Sequence, residues 1–238
     1  MPADPPMPPA DFAHVRTWVF DLDNTLYPPA SDLFGQVDGR ITLWIADRYG
    51  IDGLSAQALQ KYWYQRYGTS LKGMMHDDGI EPGPFLDFVH DIDHSAIEAN
   101  PRLGRAIARL PGRKFILTNG SRRHAENIAG RLAVDHLFED IFDIQAAAFT
   151  PKPERRAYEI FLERYAIEPR EAAMFEDLAR NLEVPHALGM RTVLVVGPGP
   201  AADTRADWEK AAAQAAPWID HVTDDLAGFL TRTPREAA

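Results

Sequence analysis

Apolar positions in this chain follow two rhythms, and the switch between them marks its organisation. Between residues 31 and 97 they recur at steps of three and four: Leu33/Phe34, Val37, Ile41 and Trp44/Ile45, then Leu59, Tyr62/Trp63 and Tyr67. That period lines one face of a helix. Phe85, Leu86 and Val89 form a shorter helical set after Pro82-Gly83-Pro84, which breaks whatever precedes it. Beyond Asn100-Pro101 short apolar runs alternate with helical patterns. Strands are expected at Phe115-Ile116-Leu117, Ile141 to Ile144, Ala173-Met174-Phe175 and Thr192 to Val196. Helices are expected over 103–110, 120–132, 153–165, 179–188 and 203–215, and a last pair, His221-Val222 and a helix over 225–230, closes the chain. With Val19-Phe20 as the first strand, this alternation predicts an α/β fold: a doubly wound, Rossmann-like parallel sheet covered on both faces. The core is expected over 15–30 and 98–238, with a small helical cap at 31–97 inserted after the first strand. An insertion there lies over the carboxyl edge of the sheet, where open α/β sheets bind ligands.

Composition narrows the class. The 238 residues are 45% hydrophobic and 25% charged, ordinary for a globular protein with a sizeable core. No apolar run approaches the roughly 18 residues of a membrane span. The Pro-rich start, residues 1–14, has no basic flank or apolar stretch of a signal peptide and is expected to be a disordered tail. No cysteine is present, so disulfides, thiolate nucleophiles and cysteine metal sites are excluded. These features fit a cytoplasmic protein with no membrane partner. The net charge of −10, without a basic stripe, argues against a nucleic acid polymer as partner. An anionic ligand would therefore need local positive charge: a metal, a placed Lys or helix N-terminal amides.

The polar residues worth attention sit just past strand ends. Phe20 leads into Asp21 and Asp23, Leu117 into Thr118-Asn119-Gly120-Ser121, and Phe175 into Glu176-Asp177; Lys152 stands between Pro151 and Pro153 at an expected helix start. In extended chain the i, i+2 spacing of Asp21 and Asp23 puts both carboxylates on one side. They would repel unless a cation intervenes or one holds a proton. Each segment has a plainer reading: a turn plus N-cap for 118–121, a solvated charge for Lys152, a helix-start acidic pair for 176–177. Their joint placement on one sheet edge favours chemistry, and the set fits phosphoryl transfer. Mg²⁺ takes a few carboxylate and carbonyl oxygens plus substrate phosphate, one carboxylate can attack phosphorus, and a second can protonate the leaving oxygen. Thr118, the amides after it and Lys152 can hold the phosphoryl oxygens.

These four motifs, Asp21-Leu22-Asp23-Asn24-Thr25, Leu117-Thr118-Asn119, Lys152 and Phe175-Glu176-Asp177, resemble those of the haloacid dehalogenase superfamily of Asp-nucleophile phosphohydrolases. The resemblance covers essentially all of residues 15–200. It implies Asp21 as nucleophile and metal ligand, and Asp23 as general acid/base with its backbone carbonyl on the metal. It implies phosphate binding by Thr118, Asn119 and Gly120, Lys152 screening Asp21 and phosphate, Asp177 on Mg²⁺, and Glu176 in the outer shell of the ion. Dehalogenases of the superfamily lack an acid/base Asp two residues after the nucleophile, so Asp23 implies a phosphatase. Within the superfamily the chain looks like the pyrimidine 5′-nucleotidase-like branch, on Asp21 to Pro28, Tyr67 to Gly73, His124-Ala125 and Arg180-Asn181-Leu182. That branch more often has two aspartates and a serine where Glu176, Asp177 and Leu178 stand.

The expected substrate is a small-molecule phosphate ester, with a pyrimidine nucleoside 5′-monophosphate favoured. A sugar-phosphate or phosphoglycolate phosphatase, a phosphomutase and a non-catalytic binding module stay open. Tyr67 and Lys72 are the candidate specificity residues of the cap, beside a plainer reading as helix surface and cap core. His76-Asp77-Asp78 and His90 to His94 read as acidic surface rather than a second metal site, His124 as structural, and Gly197-Pro198-Gly199-Pro200 as a loop. The oligomeric state is not readable from sequence.

Overall fold

The computed structural model describes residues 12–197 and 216–233. Among them a six-stranded, wholly parallel sheet runs in the order β3-β2-β1-β4-β5-β6. The strands are β1 (Thr17–Phe20), β2 (Arg113–Leu117), β3 (Asp140–Phe142), β4 (Ala172–Glu176), β5 (Arg191–Val195) and β6 (His221–Thr223). Their side chains alternate between two cores. Trp18 and Phe20 of β1 face one with Phe175 and Val193, while Val19 faces the other with Met174 and Leu194. Both faces are covered, so the strands read as unbroken apolar runs rather than alternating ones. Helices α5 (Pro101–Ala108), α6 (Arg122–Leu132) and α9 (Leu226–Arg232) close the first face. Helices α7 (Arg155–Tyr165) and α8 (Glu183–Leu188) close the second. No helix among the described residues is long and apolar enough to cross a membrane.

Between β1 and α5 lie four helices: α1 (Leu33–Tyr49), α2 (Gly53–Tyr67), α3 (Ser70–Asp78) and α4 (Pro82–Val89). They share a core of Val37, Ile45, Trp63, Met74, Phe85 and Val89, which Ile144 joins from the sheet side. The helical period did not anticipate α3. It is nine residues long and is set locally, with the Thr69 hydroxyl capping Lys72 N–H at 3.2 Å. Gly73 permits its close packing on α2, since a Cβ there would lie 2.4 Å from the Trp63 ring.

Three expectations need correction. Phe12 is buried and packs on Trp18 and Phe229, so residues 12–14 belong to the fold; the rest of the expected tail lies outside the described residues. β1 stops at Phe20, and residues 23–26 form a turn, with Leu26 N–H on Leu22 O at 3.0 Å and Asn24 at φ 58°. Asp21 and Asp23 therefore stand past the strand's end rather than on it, and both line one cavity. Leu22 between them is buried in the core, and Asp23 has Tyr27 and His124 as partners. The stretch 179–188 is a short 3₁₀ turn followed by α8, not one helix. The expected helix 203–215 and most of the Gly197 to Pro200 loop lie outside the described residues.

Candidate active site

The register brings the motif-bearing strand ends level. Phe20 pairs with both Ile116 and Phe175, so Asp21, Thr118 and Asp177 emerge from adjacent strands. They open into a cavity of about 380 Å³ between the sheet edge and the four helices. Its floor holds Asp21, Thr118, Asn119, Gly120, Lys152, Glu176 and Asp177, with Asp23 and Asn24 at the side.

Lys152 is the hub of the floor. Its side chain is only 2% exposed, and Nζ donates to Asp21 Oδ1 at 2.6 Å, Glu176 Oε1 at 2.8 Å and Leu117 O at 2.8 Å. Burial alone would lower an ammonium's pKa; Asp21 and Glu176 reverse that and hold it above the ordinary lysine value. Asn119 fixes the lysine from behind. Its amide nitrogen donates to Lys152 O at 3.1 Å, and its oxygen accepts from Lys152 N–H at 2.8 Å. The carboxamide expected on phosphate is thus engaged in holding Lys152. The Thr118 hydroxyl accepts from Gly120 N–H at 2.9 Å, which folds the 118–121 turn over the floor.

Glu176 is buried and braced by donors: Lys152, the Asn181 amide at 2.6 Å and the Leu178 N–H at 2.7 Å. One carboxylate oxygen each from Asp21, Glu176 and Asp177 lie within 4.8 Å of one another. One ammonium does not balance three carboxylates, two of them buried. Burial, with Glu176 and Asp23 nearby, raises Asp21 to about 7 against the pull of Lys152. Burial, Glu176 and Asp21 also push Asp177 well above the carboxylate range. A divalent cation would offset this excess, and an all-oxygen donor set is what hard cations such as Mg²⁺ take. The residues present therefore fit a divalent metal.

Asp23 stands apart from that cluster. The Tyr27 hydroxyl donates to its Oδ1 at 2.6 Å, and His124 Nε2 meets the same oxygen at 2.9 Å. Burial would raise this carboxyl, but His124 and Tyr27 win and bring it down to about 2. His90 lines the cavity and stacks on His124, ring centroids 4.4 Å apart, while its Nδ1 pairs with the Ser121 hydroxyl at 3.0 Å. Burial and His124 lower His90 to about 3. The structural role expected of His124 thus becomes a direct contact with a motif carboxylate. Nothing in the spacing announces it, since 101 residues separate the two.

The helical side of the cavity is formed by Phe34, Val37 and Ile41 of α1, Gln60, Lys61, Tyr64 and Gln65 of α2, and Phe85, Leu86 and Val89 of α4. Arg180, after β4, crosses to this side with its guanidinium 4.2 Å from the Tyr64 ring centre. Tyr67 and Lys72, the expected specificity pair, do not line the cavity. Tyr67 donates to Asp77 Oδ1 at 2.7 Å, and Lys72 pairs with Glu154, joining α3 to the loop before α7. The face that does line it carries the three-and-four period of α1. From sequence, that stripe is indistinguishable from buried core.

Fold and site together identify the class, and comparison with known proteins agrees. The model of the haloacid dehalogenase-like hydrolases matches residues 15–189, and the chain belongs to that family of hydrolases. Phosphate metabolism protein 8 of Saccharomyces cerevisiae is 25% identical over 149 residues, 58% of this chain. The match spans 46% of the yeast protein, so about half its length is not represented. Among solved structures, L-2-haloacid dehalogenase from Xanthobacter autotrophicus superposes with a TM-score of 0.56 at 15% identity, covering 91% of this chain and 97% of that one. The HAD-hydrolase YfnB from Bacillus subtilis, solved with magnesium, gives 0.54 at 14% identity, over 90% and 96%. A HAD family hydrolase from Deinococcus radiodurans, solved with phosphate and sodium, gives 0.51 at 18% identity, over 92% and 99%. At these identities the likeness is one of fold.

Proposed function

We propose that this hydrolase is a Mg²⁺-dependent phosphomonoesterase acting through an aspartyl phosphate, and that its substrate is a nucleoside 5′-monophosphate, a pyrimidine one favoured. The observation that carries the chemistry is the floor of the cavity: Asp21 held by Lys152 at 2.6 Å, beside Glu176 and Asp177, with Asp23 at the side. Asp21 and Asp177 would hold the ion, with Glu176 bracing the pair from the outer shell. The ion, when bound, supplies charge neutralisation for carboxylate and phosphate alike.

An Asp21 carboxylate oxygen attacks phosphorus while the P–O bond to the leaving group breaks, and Asp23 gives that oxygen its proton. Water then attacks the phosphorus of the acyl phosphate, its proton passing to Asp23, and phosphate leaves with Asp21 restored. The Thr118 hydroxyl and amides of the 118–121 turn hold the equatorial oxygens as charge moves onto them, while the Lys152 ammonium, bound to Asp21, screens the charge from the floor. Asp23 is ionised in the resting site, so it takes its proton from solvent as the substrate binds. A phosphate dianion alongside raises the carboxyl's affinity for it. A dehalogenase has no leaving oxygen to protonate, and a residue placed and held like Asp23 has no task in it. The yeast relative's name, a phosphate metabolism protein, supports the same reading.

The helical unit acts as the cap that selects the leaving group. Its wall combines an apolar part (Phe34, Val37, Ile41, Phe85, Val89) with polar Gln60, Lys61 and Gln65. A ribose matches the polar part and a flat base the apolar part. A phosphoglycolate or a simple sugar phosphate would leave the apolar wall uncovered. The test is phosphate release with Mg²⁺ from UMP and CMP against purine nucleotides, hexose phosphates and phosphoglycolate. Higher kcat/KM for UMP and CMP is expected. Preference for a sugar phosphate would overturn the substrate class, transfer to a second hydroxyl in place of phosphate release would indicate a mutase, and no turnover of any ester would leave a binding module.

A further inference from the structure

We infer that Tyr27 and His124 are positioning residues that together clamp one oxygen of Asp23, Oδ1, so that Oδ2 is the atom that exchanges a proton with the leaving group and the attacking water. The inference rests on the phosphatase reading of Asp23.

Both donors reach the same atom, Tyr27 Oη at 2.6 Å and His124 Nε2 at 2.9 Å. A carboxylate oxygen has two lone pairs. Two donors occupy those of Oδ1, and the carboxylate, free to spin about its last torsion in water, is fixed in one orientation. Asp23 keeps 17% of its side chain exposed toward the cavity, whereas the His124 ring is fully buried and Tyr27 is 2% exposed. The clamp is thus built behind the carboxylate, and the substrate side is left open.

The clamp is itself held. His124 lies in the first turn of α6, where the Ser121 hydroxyl caps its N–H at 3.3 Å. His90, tied to the same Ser121 hydroxyl at 3.0 Å, stacks on the imidazole with planes 20° apart. Gly120 admits this stack, because a Cβ there would sit 3.2 Å from the His124 ring and 3.6 Å from His90 Nε2. The other ring nitrogen, His124 Nδ1, is buried without a hydrogen-bond partner. A residue kept only for packing would do better as an apolar side chain, since a buried polar atom left unpaired lowers stability. The imidazole accepts that cost while its Nε2 faces Asp23. Asp23 loses aim, not existence, when the clamp is removed, so the deficit should scale with how much the leaving group needs a proton.

The experiment compares kcat/KM for phenyl phosphate, whose leaving oxygen needs protonation, with p-nitrophenyl phosphate, whose leaving group departs more easily as the anion. In Tyr27→Phe, which keeps the buried ring, and in His124→Leu, phenyl phosphate is expected to lose about tenfold more than p-nitrophenyl phosphate, a share of the general-acid contribution. His124→Gln, whose amide places a donor near Nε2, should recover most of that difference. Asp23→Asn should show the same selectivity, enlarged. Equal losses on both esters in Tyr27→Phe and His124→Leu, beside a selective Asp23→Asn, would overturn the clamp and leave the phosphatase reading standing. An unselective Asp23→Asn would overturn that reading of Asp23, and the clamp with it.

Discussion

The floor and the roof of the cavity are built on opposite principles. On the floor a few charged groups are buried, each with several partners: Lys152 has three acceptors, Glu176 three donors, and Asn119 a bond in each direction to one peptide. On the roof, Phe34, Val37, Ile41 and Val89 line the space beside Gln60, Lys61 and Gln65, all of them on helices. A floor of this kind leaves little freedom to change any residue. A roof of this kind tolerates substitution and adjusts to different leaving groups. Chemistry and selectivity are therefore separable here, and substitutions should divide cleanly between them.

The largest effect is expected at the nucleophile. Asp21→Asn should remove turnover by on the order of 10⁴-fold or more, the scale of losing a covalent nucleophile, with an unchanged circular dichroism spectrum. Lys152→Met tests the floor's ionic coupling. It leaves Asp21 and Glu176 buried without their cation, and breaking a buried ion pair from one side costs about 3–5 kcal/mol, to be read by urea denaturation. Phe34→Ala tests the roof. Phe34 is 42% exposed, so stability should hold while the preference for UMP over a hexose phosphate falls about tenfold, the worth of one apolar contact.

His90 gives a pH signature. Its folded pKa, about 3, lies below the unfolded value of 6.5, so its contribution is present above pH 6.5 and is lost as pH falls toward 3. His90→Leu should flatten the fall in stability with pH over that window; an unchanged slope would show that the ring is not held neutral. The smallest effect is expected at Lys72. A half-exposed pair such as Lys72–Glu154 contributes about 1 kcal/mol at most, so Lys72→Ala should shift the urea midpoint little and leave KM for UMP unmoved. A large rise in KM would return Lys72 to the binding site.

The division also explains what sequence alone could reveal. The buried strands were legible because a parallel sheet covered on both faces demands continuous apolar runs, as at Val19-Phe20 and Ala173 to Phe175. The floor was legible because its groups leave adjacent strand ends through short contiguous motifs. What escaped depends on where the backbone turns or on residues far apart in the chain. The turn at 23–26 precedes Tyr27, which bonds Asp23, and His124 reaches the same carboxylate from α6. Asn119 reads as a phosphate ligand until the 118–121 turn is seen against Lys152. On the roof, a helical stripe facing a cavity and one facing a core share a period. Tyr67 and Lys72 stood out by chemical type, whereas Tyr64, Lys61 and Gln65 line the cavity from positions no motif marks.

The claim on which all of this turns is that Asp21, with a divalent ion held beside it, performs phosphoryl transfer. Its most direct test is the rate of phosphate release from UMP by the wild-type chain stripped with EDTA and then titrated with Mg²⁺, beside Asp21→Asn treated the same way. The expected result is release that vanishes on chelation, returns with Mg²⁺ in the wild type and never returns in the variant. Release that ignores the metal, or that survives Asp21→Asn, would contradict it.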